Sequence, residues 1–209
     1  NWSSERARWE IVAVATDEYG AEHEERYEAR FLLSCSGYYS YDEGYRPEFP
    51  NEKAFKGQIL HPQFWPEDLD YKGKRIVVIG SGATAVTLVP AMTKTAAHVT
   101  MLQRTPSYVV TRPQRDGIAQ SLQKWLPLQT AHSLTRWKNV FLTQFFFRIA
   151  RNRPEQFKER VLHMVKTQIG DVDMKHFTPD YKPWDQRVCA VPDGDLLRDV
   201  RAGRASVVT

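Results

Sequence analysis

The hydrophobic and polar positions change period twice along this chain. Trp9-Glu-Ile-Val-Ala-Val-Ala-Thr16 alternates and predicts a strand; Asp17-Glu-Tyr-Gly20 supplies turn chemistry. A polar partner around His23–Ala29 completes a hairpin. Phe31-Leu-Leu-Ser-Cys-Ser36 predicts a short buried strand that stops at Gly37, and the Tyr-, Pro- and Gly-rich stretch from Tyr38 to Pro50 reads as a linker. From Lys74 the pattern is βαβ. A strand at Arg75–Ile79 leads into a glycine turn, a helix runs from about Ala83 to Lys94, and a second strand covers His98–Gln103. Pro90 falls inside that helix and is expected to kink or shorten it. Residues 115–170 are mostly helical, with apolar spacing at Ile118, Leu122 and Trp125 and again at Phe157, Val161 and Val165. Phe145-Phe146-Phe147 is expected to be helical core. A short helix follows over Asp193–Arg201, capped by Asp193 and ended by Gly203, and Ala205–Thr209 starts a strand.

These elements predict an α/β fold: a Rossmann-like domain with a helical insert, plus a small β-rich piece. The expected organisation is 1–50 as that piece, 51–70 as a linker, 71–114 as the βαβ unit, 115–175 as the insert and 176–209 as the return to the domain. The opening hairpin lacks a first strand and the last strand lacks a sequel, so the chain reads as a segment of a longer protein.

Bulk properties narrow the classes. At 209 residues the chain is long enough for one sizeable domain or parts of two. Lysine and arginine exceed the acids by only four, and the signs are interspersed rather than gathered in a basic stripe, so nucleic acid is not an expected partner. Cys35 and Cys189 form no C-x-x-C and the histidines no ligand spacing, which argues for a reducing compartment and no metal. The opening residues lack an apolar signal core. Val140–Ala150 contains Gln144 and Arg148 and is too short to span a bilayer, so it reads as core and the expected location is cytoplasmic.

The chemistry lies in the glycine turn. Gly80-Ser81-Gly82-Ala83-Thr84-Ala85 reads G-x-G-x-x-A between a strand and a helix. Gly80 permits the tight turn, Gly82 lets backbone approach a pyrophosphate, and Ala85 lets the helix lie close on the sheet. The helix N-terminus offers N–H groups and partial positive charge to the phosphates. An NAD site would place an acid at the end of the second strand. This chain has Gln103-Arg104-Thr105 instead. Arg104 suits a 2′-phosphate, so NADPH is the expected cofactor.

A second motif precedes the turn. Phe55-Lys-Gly57-Gln-Ile-Leu-His61-Pro-Gln-Phe-Trp65-Pro66 reads F-x-G-x-x-x-H-x-x-x-W-P and resembles the fingerprint of flavin-dependent Baeyer–Villiger monooxygenases. The resemblance runs from about Trp9 to Val208. It implies an NADPH domain inserted in an FAD domain, with the fingerprint on the linker between them. It further implies a reaction in which one oxygen atom of O2 enters beside a ketone carbonyl to give an ester or lactone. His61 would link domain movement to the nicotinamide, with no proton transfer. Tyr181-Lys-Pro-Trp-Asp-Gln186-Arg187 resembles a family stretch ending in Lys-Arg, in which the arginine faces the flavin and stabilises anionic intermediates; that role falls on Arg187. Gln186 replaces the usual lysine and brings no charge, which leaves more of the 2′-phosphate to Arg104. Cys35-Ser36-Gly37 stands where the family usually has Ala-Thr-Gly. The family's FAD-binding G-x-G-x-x-G is not in this chain, so the isolated chain is expected not to oxygenate anything. Oxidation of nitrogen or sulfur centres, and a stand-alone NADP-binding module, remain open as alternatives.

Overall fold

The computed structural model describes residues 1–37 and 39–209, and these divide into two compact units, Asn1–Leu69 and Asp70–Thr209. The first unit opens with a three-stranded antiparallel sheet, β1 (Trp2–Ser3), β2 (Arg8–Thr16) and β3 (Glu22–Ala29), in the order β1-β2-β3. The predicted turn closes the β2–β3 hairpin: the Asp17 carboxylate accepts from the amides of Tyr19 and Ala21 at 2.9 and 2.8 Å, and Gly20 takes φ 84°. Trp9 faces Ala29 and Thr16 faces Glu22 across the ladder. Alternate residues of β2 are half-buried, and among the described residues of this unit none is fully buried.

Phe31–Ser36 departs from expectation. It forms no strand, and Phe31 and Leu33 are 77% and 72% exposed. Apolar residues alone do not make a strand; the backbone needs a paired neighbour, and no described residue supplies one here. The expected linker begins at Tyr38, which lies outside the described residues; residues 39–50 hold neither helix nor strand.

The second unit is built on β4 (Arg75–Ile79), α1 (Ala83–Met92), β5 (His98–Leu102), β6 (Tyr108–Arg112), α2 (Gly117–Trp125), α3 (Leu128–Asn152), α4 (Pro154–Ile169), β7 (Val188–Pro192), α5 (Asp195–Arg201) and β8 (Ala205–Val208). β4, β5 and β8 form a parallel sheet with β5 in the middle, and β6 and β7 form a separate parallel pair. The core lies where α1, α4 and α5 meet the strands: Val89, Val99, Val165, Ile169, Val191, Leu196 and Leu197 are all buried there. The polar Asp199 is buried beside it, accepting from Thr93 and from Arg204, and so ties α5 to the end of α1 and to the entry of β8.

Sequence patterning located β4, β5 and β8 but not β6 and β7, whose short Val-rich runs sit at the two ends of the helical region. Other differences are local. α1 stops at Met92, two residues after Pro90, rather than at Lys94. Gly194, not Asp193, caps α5; Asp193 takes φ 49° and its carboxylate accepts from the amide of Gln114 at 3.1 Å. Residues 145–147 are helical but are not core. In α3 only Ala131 and Ala150 are buried, and all three phenylalanines are exposed. Three consecutive aromatics point around more than half the helix, whereas α3 packs mainly on α2 and α4, with Phe147 meeting Trp184 edge-on at 5.7 Å.

Candidate functional site

β4 ends in the glycine turn, and the turn is pinned from below. The Gly80 amide donates to the Leu102 carbonyl at 2.8 Å, which fastens the turn to the C-terminal end of β5. Gly80 has φ 131°, a conformation that L side chains rarely adopt. A Cβ placed on Gly80 or Gly82 would meet nothing within 4 Å, so the space above both glycines is open to a ligand. Gly82 is the N-cap of α1, its carbonyl accepting from Val86 at 3.1 Å, while no side chain caps the first turn. The helix N-terminal amides are therefore left for a ligand. Ala85 is buried against the sheet, as expected of a residue that sets the helix–strand distance. Ala83 and Thr84 are exposed at the start of the helix.

The pairing of β6 with β7 delivers the other side chains. Tyr108 stands opposite Val188, so the residues just before them, Ser107 and Arg187, arrive side by side. The Arg187 guanidinium donates from Nε to Ser107 Oγ at 3.2 Å and from Nη2 to Ser81 Oγ at 3.1 Å. Ser81 and Ser107 are both buried, and their hydroxyls lie 3.4 Å apart. A cation from the return segment is thus held against the glycine turn by two hydroxyls, which use two of its five N–H groups. Ser107 was not singled out from the sequence; a serine directly before the apolar run Tyr108–Val110 was the available signal.

The loop carrying Arg187 is braced. The Tyr181 hydroxyl donates to the Arg187 carbonyl at 3.3 Å, and the Tyr108 hydroxyl donates to the Tyr181 carbonyl at 2.6 Å. Burial, followed by nearby Tyr181 and acidic groups, pushes the Tyr108 phenol up to about 12, so it keeps its donating proton. Asp185 pairs with Arg151, and Trp184 sits at φ 68°, a strained conformation for a bulky residue. Cys189 is buried, with Sγ 3.8 Å from the Ser81 carbonyl; burial raises its thiol pKa and Arg187 partly opposes this, the pattern of an unreactive cysteine.

Arg104 and Thr105 are exposed just past β5, beside the turn's anchor at Leu102. The Arg104 side chain forms no ion pair among the described residues. Gln186 is exposed next to Arg187. The second unit therefore gathers Gly80–Ala85, Arg104 and Thr105 past the carboxyl ends of β4 and β5, where open α/β sheets bind ligands, and Gln186 and Arg187 join them from the amino end of β7. No cluster of metal-ligating residues exists among the described residues.

His61 belongs to the first unit. Its Nδ1 accepts from the Gln63 amide at 3.3 Å, capping a short turn of 3-10 helix at Pro62–Phe64. A Cβ on Gly44 would fall 2.1 Å from the His61 ring, so the ring rests on Gly44 backbone. A Cβ on Gly57 would fall 2.5 Å from the Phe55 ring in the same way. The motif glycine lets the motif phenylalanine fold back over the chain. Gly44 is a further partner that no motif spacing revealed.

Comparison with known proteins shows the family and the fold. The family model of flavin-binding monooxygenase-like proteins matches residues 2–162. The FAD-containing monooxygenase EthA of Mycobacterium tuberculosis is 48% identical over 212 aligned positions, covering 100% of this chain and 42% of EthA. Among solved structures, the complex of OTEMO with FAD and NADP superposes with a TM-score of 0.66 at 19% identity, over 99% of this chain and 45% of that one. Cyclohexanone monooxygenase of Rhodococcus sp. Phi1, bound to NADP+, superposes at 0.61 with 19% identity, over 100% of this chain and 44% of that one. The two structures share the fold. The chain spans about 42% of the length of the curated relatives it matches. With a family match across both units and the glycine turn folded between a parallel strand and a helix, the chain belongs to the flavin-binding monooxygenase-like family.

Proposed function

We propose that residues 70–209 bind NADPH, and that the polypeptide carrying them is an FAD-dependent monooxygenase that places one oxygen atom of O2 beside a ketone carbonyl, giving an ester or lactone. The observation that carries the NADPH reading is the glycine turn: open space above Gly80 and Gly82, uncapped amides at the start of α1, and Arg187 held against Ser81. The open turn and its amides fit a pyrophosphate, whose negative charge the amides would meet. Arg104, exposed and without an ion-pair partner among the described residues, would take the 2′-phosphate, with Thr105 and Gln186 as neutral hydrogen-bonding neighbours.

When bound, NADPH supplies the hydride and FAD the oxygen chemistry. The chain's own residues bind and orient. Arg187 would offer a permanent cation to the anionic intermediates of the reaction, and Ser81, Ser107 and Tyr181 would fix its direction. His61 sits on the linker and couples movement of the flavin-domain piece to the cofactor. In this reading residues 1–50 and 51–70 are that piece and that linker, and Cys35 and Cys189, both free, suit a cytoplasmic location. The ketone substrate is supported by the fingerprint residues Phe55, Gly57, His61, Trp65 and Pro66 and by the fold shared with cyclohexanone monooxygenase.

Two measurements test the reading. Titration calorimetry on the chain should give tight NADPH binding that Gly82→Val abolishes, because a branched side chain fills the pyrophosphate space; normal binding by the variant refutes the turn assignment. Product analysis on the full-length enzyme should give an ester or lactone from a cyclic ketone. Sulfoxide or N-oxide as the sole product would replace the ketone reading with nitrogen or sulfur oxidation.

A further inference from the structure

The face of α2 and α3 has a charge pattern unlike the rest of the chain. From Gly117 to Pro154 there are six lysines and arginines and no acid. The same segment exposes its aromatics: Trp125 is 86% and Phe141 66% exposed, with Trp137 and Phe145 also exposed. Trp137, Phe141, Phe145 and Arg148 follow one another at three- and four-residue spacing and so share one face of α3; Trp137 and Phe141 stack at 5.8 Å. At the C-terminal end of that stripe, α3 and α4 enclose a cleft of about 370 Å³ with apolar walls that include Phe145 and Phe157. Arg148, Arg153 and Arg160 line it, and none of the three forms an ion pair among the described residues. Lys138 and Arg151, by contrast, are paired with Asp116 and Asp185.

We propose that this face docks on an anionic lipid bilayer surface, its aromatic stripe lying at the interface and the three arginines meeting phosphate head groups. Exposed Trp and Phe beside unpaired arginine is the composition that lies in an interface plane. Among the described residues no helix is long and apolar enough to cross a membrane, so the contact is with the surface. A second copy of the chain is disfavoured as occupant. A two-fold contact through this face would bring the unpaired arginines Arg148, Arg153 and Arg160 of each copy toward the same basic surface.

The test is flotation of the full-length protein with vesicles of phosphatidylcholine alone or mixed with phosphatidylglycerol. The expected result is binding to the mixed vesicles that weakens with salt, and little binding to the neutral ones. Arg148→Glu with Arg153→Glu should lower partition at least about tenfold, since each surface charge contributes roughly a fivefold factor. Phe141→Ser with Phe145→Ser should lower it by about tenfold or more, from lost apolar burial. The corresponding Lys pair should keep most of the binding, because bulk attraction needs charge rather than the guanidinium fork. All these positions are exposed, and unchanged melting and NADPH binding would show that the variants fold. Equal binding to both vesicle types, or no loss in the Glu pair, overturns the proposal. So does a full-length protein that ignores vesicles while Phe141→Ser splits a dimer, or while protease footprinting shows α3 covered by the rest of the polypeptide.

Discussion

The two units solve the problem of order in different ways. The second, Asp70–Thr209, closes a hydrophobic core around β5 and hangs its charged site on the strand ends above it. The first, Asn1–Leu69, has a well-paired hairpin but no fully buried residue among those described; its order comes from ladder hydrogen bonds, Trp2 against Trp9, and glycines on which rings rest. Residues that must hold an arginine to within a hydrogen bond are on the cored unit. A histidine assigned a conformational role is on the other. Precision of placement follows depth of core, and substitutions in the two units should differ in size and in kind.

The largest effect is expected at Leu197, which is fully buried under the second unit's sheet. Leu197→Ala should cost about 3 kcal/mol of unfolding free energy by denaturant titration, whereas Ile11→Ala on β2 should cost less than about 1 kcal/mol. Comparable losses at the two sites would erase the contrast between the units. Next comes cofactor discrimination. Arg104→Ala should weaken NADPH binding by about 1.5–3 kcal/mol, with NADH almost unaffected; calorimetry giving equal losses for both would remove the 2′-phosphate assignment.

The Tyr108 brace should show in pH dependence. Its folded pKa is raised, to about 12, so the neutral phenol is favoured in the native state. That contribution is complete below the unfolded value of about 10 and disappears as pH rises through about 12. Tyr108→Phe should cost about 1 kcal/mol at neutral pH, through the lost bond to the Tyr181 carbonyl, and should lose stability less steeply across that alkaline window. Parallel curves for the two proteins would break the account. The smallest change in stability is expected at Gly44. Gly44→Ala must displace the His61 ring, yet with no core nearby it should shift unfolding by no more than about 0.5 kcal/mol. The histidine ring resonances should move in NMR while those of the second unit stay in place.

What the sequence revealed follows the same division. The βαβ unit was legible because the continuous apolar run Ile76–Ile79 leads directly into a glycine turn, and β4 spans Arg75–Ile79 as expected, even though Val77 and Ile79 are exposed. The β2–β3 hairpin was legible from alternation and Asp17 turn chemistry. Phe31–Ser36 misled because its apolar run carries no information about whether a partner strand is present. Phe145–Phe147 misled because consecutive aromatics have no helical phase, so hydrophobicity alone could not distinguish core from surface. At the site, the glycine turn, Arg104 and Arg187 were visible as residues. Their convergence was not, since it depends on β6 and β7, two five-residue strands separated by three helices.

The register of those strands has a consequence for variation in length. Everything from Pro113 to Arg187 is a loop whose two ends are fixed by one parallel pairing, Tyr108 opposite Val188 through Arg112 opposite Pro192. So long as that pairing holds and α4 keeps Val165 and Ile169 in the core, α2 and α3 can be lengthened, shortened or exchanged without moving Ser107 relative to Arg187. A single-residue slip of β7 would swing the guanidinium to the other face of the strand. The region is thus open to insertion in the helices and closed to it in the strands, which makes α2 and α3 the natural place for relatives to differ and for an engineer to graft a new surface.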